Sequence, residues 1–206
     1  MRPVDRAEFD QPVQTLAPAL LGALLVRQPD QPGQPRRIAR IVETEAYHQS
    51  EPACHAHRGR TRANAGLFGP PGHAYVYFTY GMHFCLNASC GDGATAAGVL
   101  FRAAQIIEGQ DLARQRRPAA RRNADLARGP ARLTAALDVG RTFNAVDLCD
   151  PAGLLHLARN DQPRLGERIA SGPRTGVRLA WQIPWRFYLT DCAEVSPYRR
   201  HPKASC

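Results

Sequence analysis

The sequence predicts an α+β fold: a single domain over residues 1–206, built on a mainly antiparallel, mixed β-sheet with peripheral helices. Three observations predict it. Strand-like segments follow one another without regular βαβ alternation. Two of them, within residues 73–89, meet at Gly81 as a hairpin would. Helix-period runs are few and short. The chain shows no internal repeat and no interdomain linker, and 206 residues suffice for one core but are short for two.

In chain order, residues 1–10 read as an extended lead-in. Val13, Leu16, Leu20, Leu21 and Leu24 recur at helical spacing, so 12–25 reads as a short helix running into a strand. The Pro/Gly-rich QPDQPGQPR, 28–36, is a hairpin connection. IARIVETEAY, 38–47, mixes β-branched and polar residues like a half-buried strand. A long irregular stretch from His48 to Gly72 follows, of the length that in a compact domain is usually functional or disordered. GVLFRAA, 98–104, is a further strand, and 108–117 and 130–138 are helices flanking a basic, polar segment at 118–129. Residues 153–159, 174–181 and 185–190 read as closing strands.

Composition narrows the function. Of the 27 basic residues 26 are arginine, against 18 Asp plus Glu, for a formal net charge of +9. Such a balance favours a polyanionic partner, nucleic acid before an anionic membrane; a solvated arginine surface is the alternative. The one lysine, Lys203, sits in the C-terminal tail, which leaves little room for Schiff-base catalysis. No run approaches the roughly 18 apolar residues of a membrane helix, and the N-terminus lacks a signal-peptide core. The six cysteines are spread without disulfide-like density and read as free thiols in a reducing cytoplasm, Cys85 as a small core hydrophobe. Cys54, His55 and His57 lie close together, but no Cys-x-x-Cys or His-Glu-x-x-His spacing supports zinc.

Three features carry chemistry. Glu43, Glu45 and Tyr47 share one face of their strand. Turned inward, they place two carboxylates where one can act as a general base on water; turned outward, they form an ordinary solvated edge. The aromatic run Tyr75, Tyr77, Phe78, Tyr80, His83, Phe84 packs as a strand, except that Tyr80 and Met82 flank Gly81 at a turn, where an exposed aromatic suits wedging between bases. Arg102 stands alone among apolar residues, which is expensive unless Glu43 or Glu45 pairs with it.

With these segments on the page, the sequence resembles the alkyladenine (3-methyladenine) DNA glycosylases of the mammalian type, a family also found in bacteria. The resemblance spans about residues 8–190. It rests on FDQPVQTLAPALLG, RIVETEAY at 40–47, PACHAHRGRTRANAGLFGPPGHAYVYFTYGMHFCLN at 52–87, VLFRA at 99–103, RGPARLTAALDV at 128–139, GPRTGV and WRFYL. It implies a monofunctional enzyme without metal or cofactor that excises damaged purines from double-stranded DNA, acting as a cytoplasmic, nucleoid-associated monomer with no membrane. Carried over by motif, Glu45 activates water and Arg102 helps to hold it. Tyr47 stacks on the flipped base, with Tyr77 as the opposite wall. His55 faces the base, with His57 the alternative because the spacing from Tyr47 departs slightly from the mammalian form. Asn87 discriminates against normal guanine, Tyr80 is the wedge with Met82 beside it, and Arg174 to Val177 line the same site. The insert between Asn87 and Arg102 is longer than in the mammalian pattern. The resemblance makes the arginine excess a phosphate-binding surface, with Arg58, Arg60 and Arg62, then Arg114, Arg116 and Arg117, then Arg121 and Arg122 as its densest groups. A DNA-binding module without catalysis, a metal hydrolase built on the Cys/His cluster, and an RNA-associated basic protein are the rivals.

Overall fold

The computed structural model describes residues 1–91, 94–160 and 166–204. One nine-stranded sheet organises them. Its strands are β1 (Arg2–Pro3), β2 (Leu24–Arg27), β3 (Arg37–His48), β4 (Ala74–Thr79), β5 (His83–Cys90), β6 (Ala97–Glu108), β7 (Leu155–Arg159), β8 (Ile169–Gly172) and β9 (Arg186–Leu189). They run in the order β1-β7-β2-β3-β6-β5-β4, with β9 also on β3 and β8 on β9. Every pairing among the described residues is antiparallel, so the sheet is antiparallel rather than mixed. Three short helices lie around it: α1 (Val13–Ala19), α2 (Gln110–Arg116) and α3 (Pro130–Leu137). The architecture is α+β, as the segment order predicts.

The core is apolar and continuous. Phe9, Leu16, Leu20 and Leu21 meet Ile41, Phe101, Leu133 and Leu137 in one cluster, all of them fully buried. Pro18 is tolerated in the last turn of α1, where no further turn depends on its missing N–H. Thr44 ties α1 to the sheet by donating its hydroxyl to the Ala17 carbonyl at 2.8 Å.

Four local expectations need correction. The lead-in is extended only at β1; residues 6–10 form a 3-10 turn because Asp5 caps it, accepting from the Ala7 N–H at 3.0 Å while Glu8 accepts from the Asp5 N–H at 3.2 Å. The strand expected at 98–104 runs to Glu108, and α2 starts only after Gly109, whose φ of 76° turns the chain. Residues 174–181 are not a strand but a loop with positive φ at Gly176 and Ala180. The chain pairs instead at β8, a partly exposed edge whose Ile-Ala-Ser-Gly sequence lacks strand alternation.

The site depends on the β3–β6 pair. Both strands are 12 residues long, and their register slips beside the polar residues. Ile41 faces Ala104 and Glu43 faces Ala103, which leaves Val42 unmatched; Thr44 faces Phe101, which leaves Arg102 unmatched. Bulges of this kind re-aim side chains and increase local twist. Here they bring Arg102 onto the same side as Glu43 and Glu45.

Candidate active site

Glu43 and Glu45 point inward and are both fully buried, which excludes the solvated-edge alternative. Their strand is central, flanked by β2 or β9 on one side and β6 on the other. Arg102 pairs with both carboxylates, its Nε donating to Glu43 Oε1 at 3.1 Å and its Nη1 to Glu45 Oε2 at 3.3 Å. Burial alone lowers the Arg102 pKa; the two carboxylates outweigh it and leave the guanidinium firmly charged, with a pKa above its ordinary value.

The two carboxylates have different partners. Glu43 Oε1 accepts from Arg102 Nε, from Arg186 Nε at 2.6 Å and from the Ser196 hydroxyl at 2.9 Å, and Glu43 Oε2 accepts from the Ser196 N–H at 2.8 Å. Glu45 Oε1 accepts from the Thr175 N–H at 2.7 Å, and its Oε2 from the Tyr47 hydroxyl at 2.8 Å and from Arg102. A carboxylate offers about four acceptor directions. Glu43 takes four donors, three of them on Oε1; Glu45 takes three, and its Oε1, which accepts only from Thr175, keeps a direction unfilled.

Above Glu45 opens a cavity of about 470 Å³, within the usual range of small-ligand sites. Tyr47, His55, Tyr75, Tyr77, Asn87, Arg102 and the segment Thr175–Val177 line it, and Tyr80 stands at its rim. Glu45 itself lies just beneath this lining, behind Tyr47, Arg102 and Thr175. The wall is an aromatic cluster. Tyr75 and Tyr77 stack with ring centroids 5.4 Å apart, and His55 meets Tyr77 edge-on at 4.6 Å. His55 Nδ1 is 3.3 Å from the hydroxyl of Tyr75, which the sequence reading placed in the aromatic run without a role at the site. Cys54, Ala56, Leu67 and Ala96 back the cluster.

Burial keeps the wall neutral. It raises the Tyr75 pKa to about 12 and Cys54 to about 11, and it raises Cys85. Tyr47 and Tyr77 lie well above the ordinary phenol value, through burial first and nearby acidic groups second. The desolvated inner face of His55 lowers its pKa below 6.5. Asn87 is 5% exposed and donates its amide to the Tyr75 carbonyl at 3.1 Å, so it is fixed in the wall.

His57 turns away from the cavity, its Nδ1 lying 3.0 Å from the Gln49 carbonyl, so His55 is the histidine of the wall. Among the described residues no group of three or more His, Cys, Asp or Glu side chains is arranged to hold a metal. No helix among them is long and apolar enough to cross a membrane. Of the long insert between Asn87 and Arg102, residues 92 and 93 lie outside the described residues, as does Cys206.

At the rim, the β4–β5 hairpin presents Tyr80 at 81% exposure beside Met82 at 68%. Tyr80 and Gly81 have φ of 51° and 68°, the sign that tight hairpin turns require. A non-glycine residue in this region carries strain. The arginine groups divide. Arg58, Arg60 and Arg62 are exposed and form no ion pair among the described residues, whereas Arg116 pairs with Asp138 and Arg122 with Asp125.

Comparison with known proteins fits this geometry. The family model described as methylpurine-DNA glycosylase (MPG) matches residues 7–193. The chain belongs to this family. It is therefore a DNA glycosylase, and its substrate-bearing partner is DNA. A Streptomyces avermitilis protein provisionally named a 3-methyladenine DNA glycosylase is 48% identical over 202 residues, covering 97% of this chain and 93% of the relative. Similarly named proteins of Nocardia farcinica and Burkholderia lata are each 44% identical, covering 98% and 93% of this chain and 93% and 89% of their own lengths. The candidate site includes residues the sequence reading did not weigh: Glu51, Arg186 and Ser196 acquire partners more than 100 positions away.

Proposed function

We propose that this glycosylase hydrolyses the N-glycosidic bond of alkylated or deaminated purines flipped out of duplex DNA. The substrates are 3-methyladenine, 7-methylguanine, hypoxanthine and ethenoadenine, and the attacking water is activated by Glu45. The observation that carries the reading is a buried, three-donor carboxylate with one acceptor direction unfilled, directly under an aromatic cavity of base-binding size. The names of the relatives point to the same substrate class.

A base in a duplex is out of reach, so the nucleotide is extruded at a cost of a few kcal/mol. Tyr80 fills the gap as a wedge, with Met82 beside it. The base enters between Tyr47 and the Tyr77 side of the cavity, whose π faces favour electron-poor and cationic purines. His55 faces the base edge as a neutral imidazole at physiological pH. Asn87, held by Tyr75, leaves no room for the exocyclic amine of normal guanine.

As the glycosidic bond lengthens, positive charge develops on the deoxyribose. The Glu45 carboxylate stabilises that charge and accepts the proton of the attacking water. Arg102 pairs with the Glu45 carboxylate and holds the water alongside it. Cationic alkylpurines leave without protonation, so little acid assistance is required for them. The one lysine, Lys203, is exposed in the tail, and direct hydrolysis follows without a Schiff base.

Excision assays on duplex oligonucleotides, each carrying one lesion, test the reading, with Glu45→Gln as the control. Release of the damaged bases by wild type, none by Glu45→Gln, and no borohydride-trapped complex are the expected results. A strong trapped complex would refute direct hydrolysis.

A further inference from the structure

A second buried ion pair lies behind the cavity wall, and the proposed chemistry does not use it. Arg174 has a fully enclosed side chain, and Glu51 is 5% exposed. The guanidinium engages Glu51 through two bonds, Nη1 to Oε1 at 2.6 Å and Nη2 to Oε2 at 2.8 Å. Enclosing two charges is expensive, and such a pair is weak evidence for added stability. A planar, two-pronged contact does fix geometry.

Its remaining contacts show what is fixed. Arg174 Nη1 also donates to the Ala46 carbonyl at 3.0 Å, between Glu45 and Tyr47 on β3. Nη2 donates to the Ala180 carbonyl at 3.2 Å, closing the loop 174–180 on itself. The guanidinium carbon lies 4.7 Å from the centre of the Tyr47 ring and 5.6 Å from that of Trp185. The next residue along the chain is Thr175, whose N–H donates to Glu45 Oε1 at 2.7 Å. One guanidinium thus touches the backbone beside Glu45, the ring of Tyr47 and the loop that delivers a hydrogen bond to Glu45.

We propose that Arg174, clamped by Glu51, is the positioning residue of this site: it sets the plane of the Tyr47 ring and holds the Thr175 N–H on Glu45. It touches neither base nor water and acts through those two residues. The proposal rests on the reading of Glu45 as the base and Tyr47 as a stacking wall. Hydrogen bonds to a carboxylate favour its charged form in general, and the Thr175 N–H is one of three such bonds on Glu45. The groups around Glu45 are Arg102, Tyr47 and Thr175 in direct contact, Arg174, Tyr77 and Cys85 farther out, and Glu43 across Arg102. Both arginines stay charged and the phenols and the thiol stay neutral below about pH 9. His55 lines the same cavity and titrates below the ordinary imidazole value through burial alone, so the readout is a movement of the acid limb specific to the variants rather than the limb itself.

The test uses the full chain and a hypoxanthine-containing duplex. Single-turnover excision at saturating enzyme is followed from about pH 5 to about pH 8.5, alongside equilibrium binding and circular dichroism, for wild type, Arg174→Lys and Glu51→Gln. For Arg174→Lys the expected result is affinity within about threefold of wild type, a rate lowered about tenfold or more, and an acid limb moved up by about half a pH unit or more. Glu51→Gln keeps the shape and one acceptor, should move both quantities the same way by less, and carries the test alone if Arg174→Lys does not fold. Rates that fall only with the folded fraction, with the acid limb unmoved, overturn the proposal. Wild-type-like excision by Glu45→Gln overturns instead the reading on which it rests, and the two failures are distinct.

Discussion

Glu43 and Glu45 sit two residues apart on one strand, face the same way and are equally buried, yet they occupy different environments. Around Glu43 four donors from β6, β9 and the C-terminal segment enclose the carboxylate, three of them on Oε1, and of their side chains only Arg102 lines the cavity. Around Glu45 three donors leave one direction, next to an open cavity. Arg102 joins the two. The difference lies in the surroundings: Tyr47, Arg102 and Thr175, the partners of Glu45, all line the cavity, and on the proposed reading that access rather than burial marks the base. On that reading Glu43 anchors Arg102 beside Glu45.

Arg102→Gln should break both halves at once. Excision should fall by about 10³-fold through lost charge stabilisation. Stability should fall by about 3 kcal/mol, because two buried carboxylates lose their shared cation. Single-turnover kinetics and urea denaturation measure the two effects. Unchanged stability would show that Glu43 and Glu45 are not held by this guanidinium.

Glu43→Gln should separate the halves. Its midpoint in urea should drop by an amount equivalent to about 3 kcal/mol, since Arg102 and Arg186 lose a buried counter-charge. The rate of the remaining folded enzyme should stay within about tenfold of wild type. A larger loss of rate than of stability would move Glu43 into the chemistry.

The hairpin tip offers the opposite contrast, exposed strain rather than buried satisfaction. Tyr80→Gly should leave stability unchanged or raise it by about 1 kcal/mol by relieving the positive φ, while excision from duplex DNA falls about tenfold. Thermal unfolding and kinetics on the same preparation decide it. A stability loss would mean that Tyr80 packs rather than probes.

The smallest effect contrasts the charged floor with the neutral wall. Cys54 and Tyr75 are held neutral by burial, with pKa values raised to about 11 and about 12. Groups raised in the folded state contribute stability that is complete below their unfolded values and is lost as pH rises through the folded ones. Stability should therefore decline from about pH 9 upward, over the window between the unfolded thiol value and the folded phenol value. Cys54→Ala should flatten the early part of that decline in a pH series of urea midpoints. An identical slope in both proteins would place the alkaline lability elsewhere.

Much of this was legible in the sequence, and the misses have physical causes. The Tyr75–Phe84 alternation and its Tyr80-Gly81 turn read as a hairpin because strand period and turn chemistry are local. Arg102 in an apolar frame demanded a carboxylate, and the structure supplies two. The solvated-edge alternative for Glu43 and Glu45 survived until topology placed β3 in the sheet centre. The segment 174–181 has strand-like composition, but the buried Arg174 and the positive φ at Ala180 bend it over the site, and only tertiary contacts specify that. Arg186 and Ser196 found meaning only through Glu43, 143 and 153 positions away. The arginine excess likewise divides by structure: Arg58, Arg60 and Arg62 form no ion pair among the described residues, while Arg116 and Arg122 are spent on Asp138 and Asp125.

The most direct measurement sets Glu45→Gln against Glu43→Gln in single-turnover excision of one hypoxanthine duplex, at saturating enzyme and equal folded fraction. The account predicts that Glu45→Gln binds the duplex like wild type and excises at least about 10³-fold more slowly, while Glu43→Gln remains within about tenfold of wild type. Equal losses in the two variants, or wild-type excision by Glu45→Gln, would contradict it.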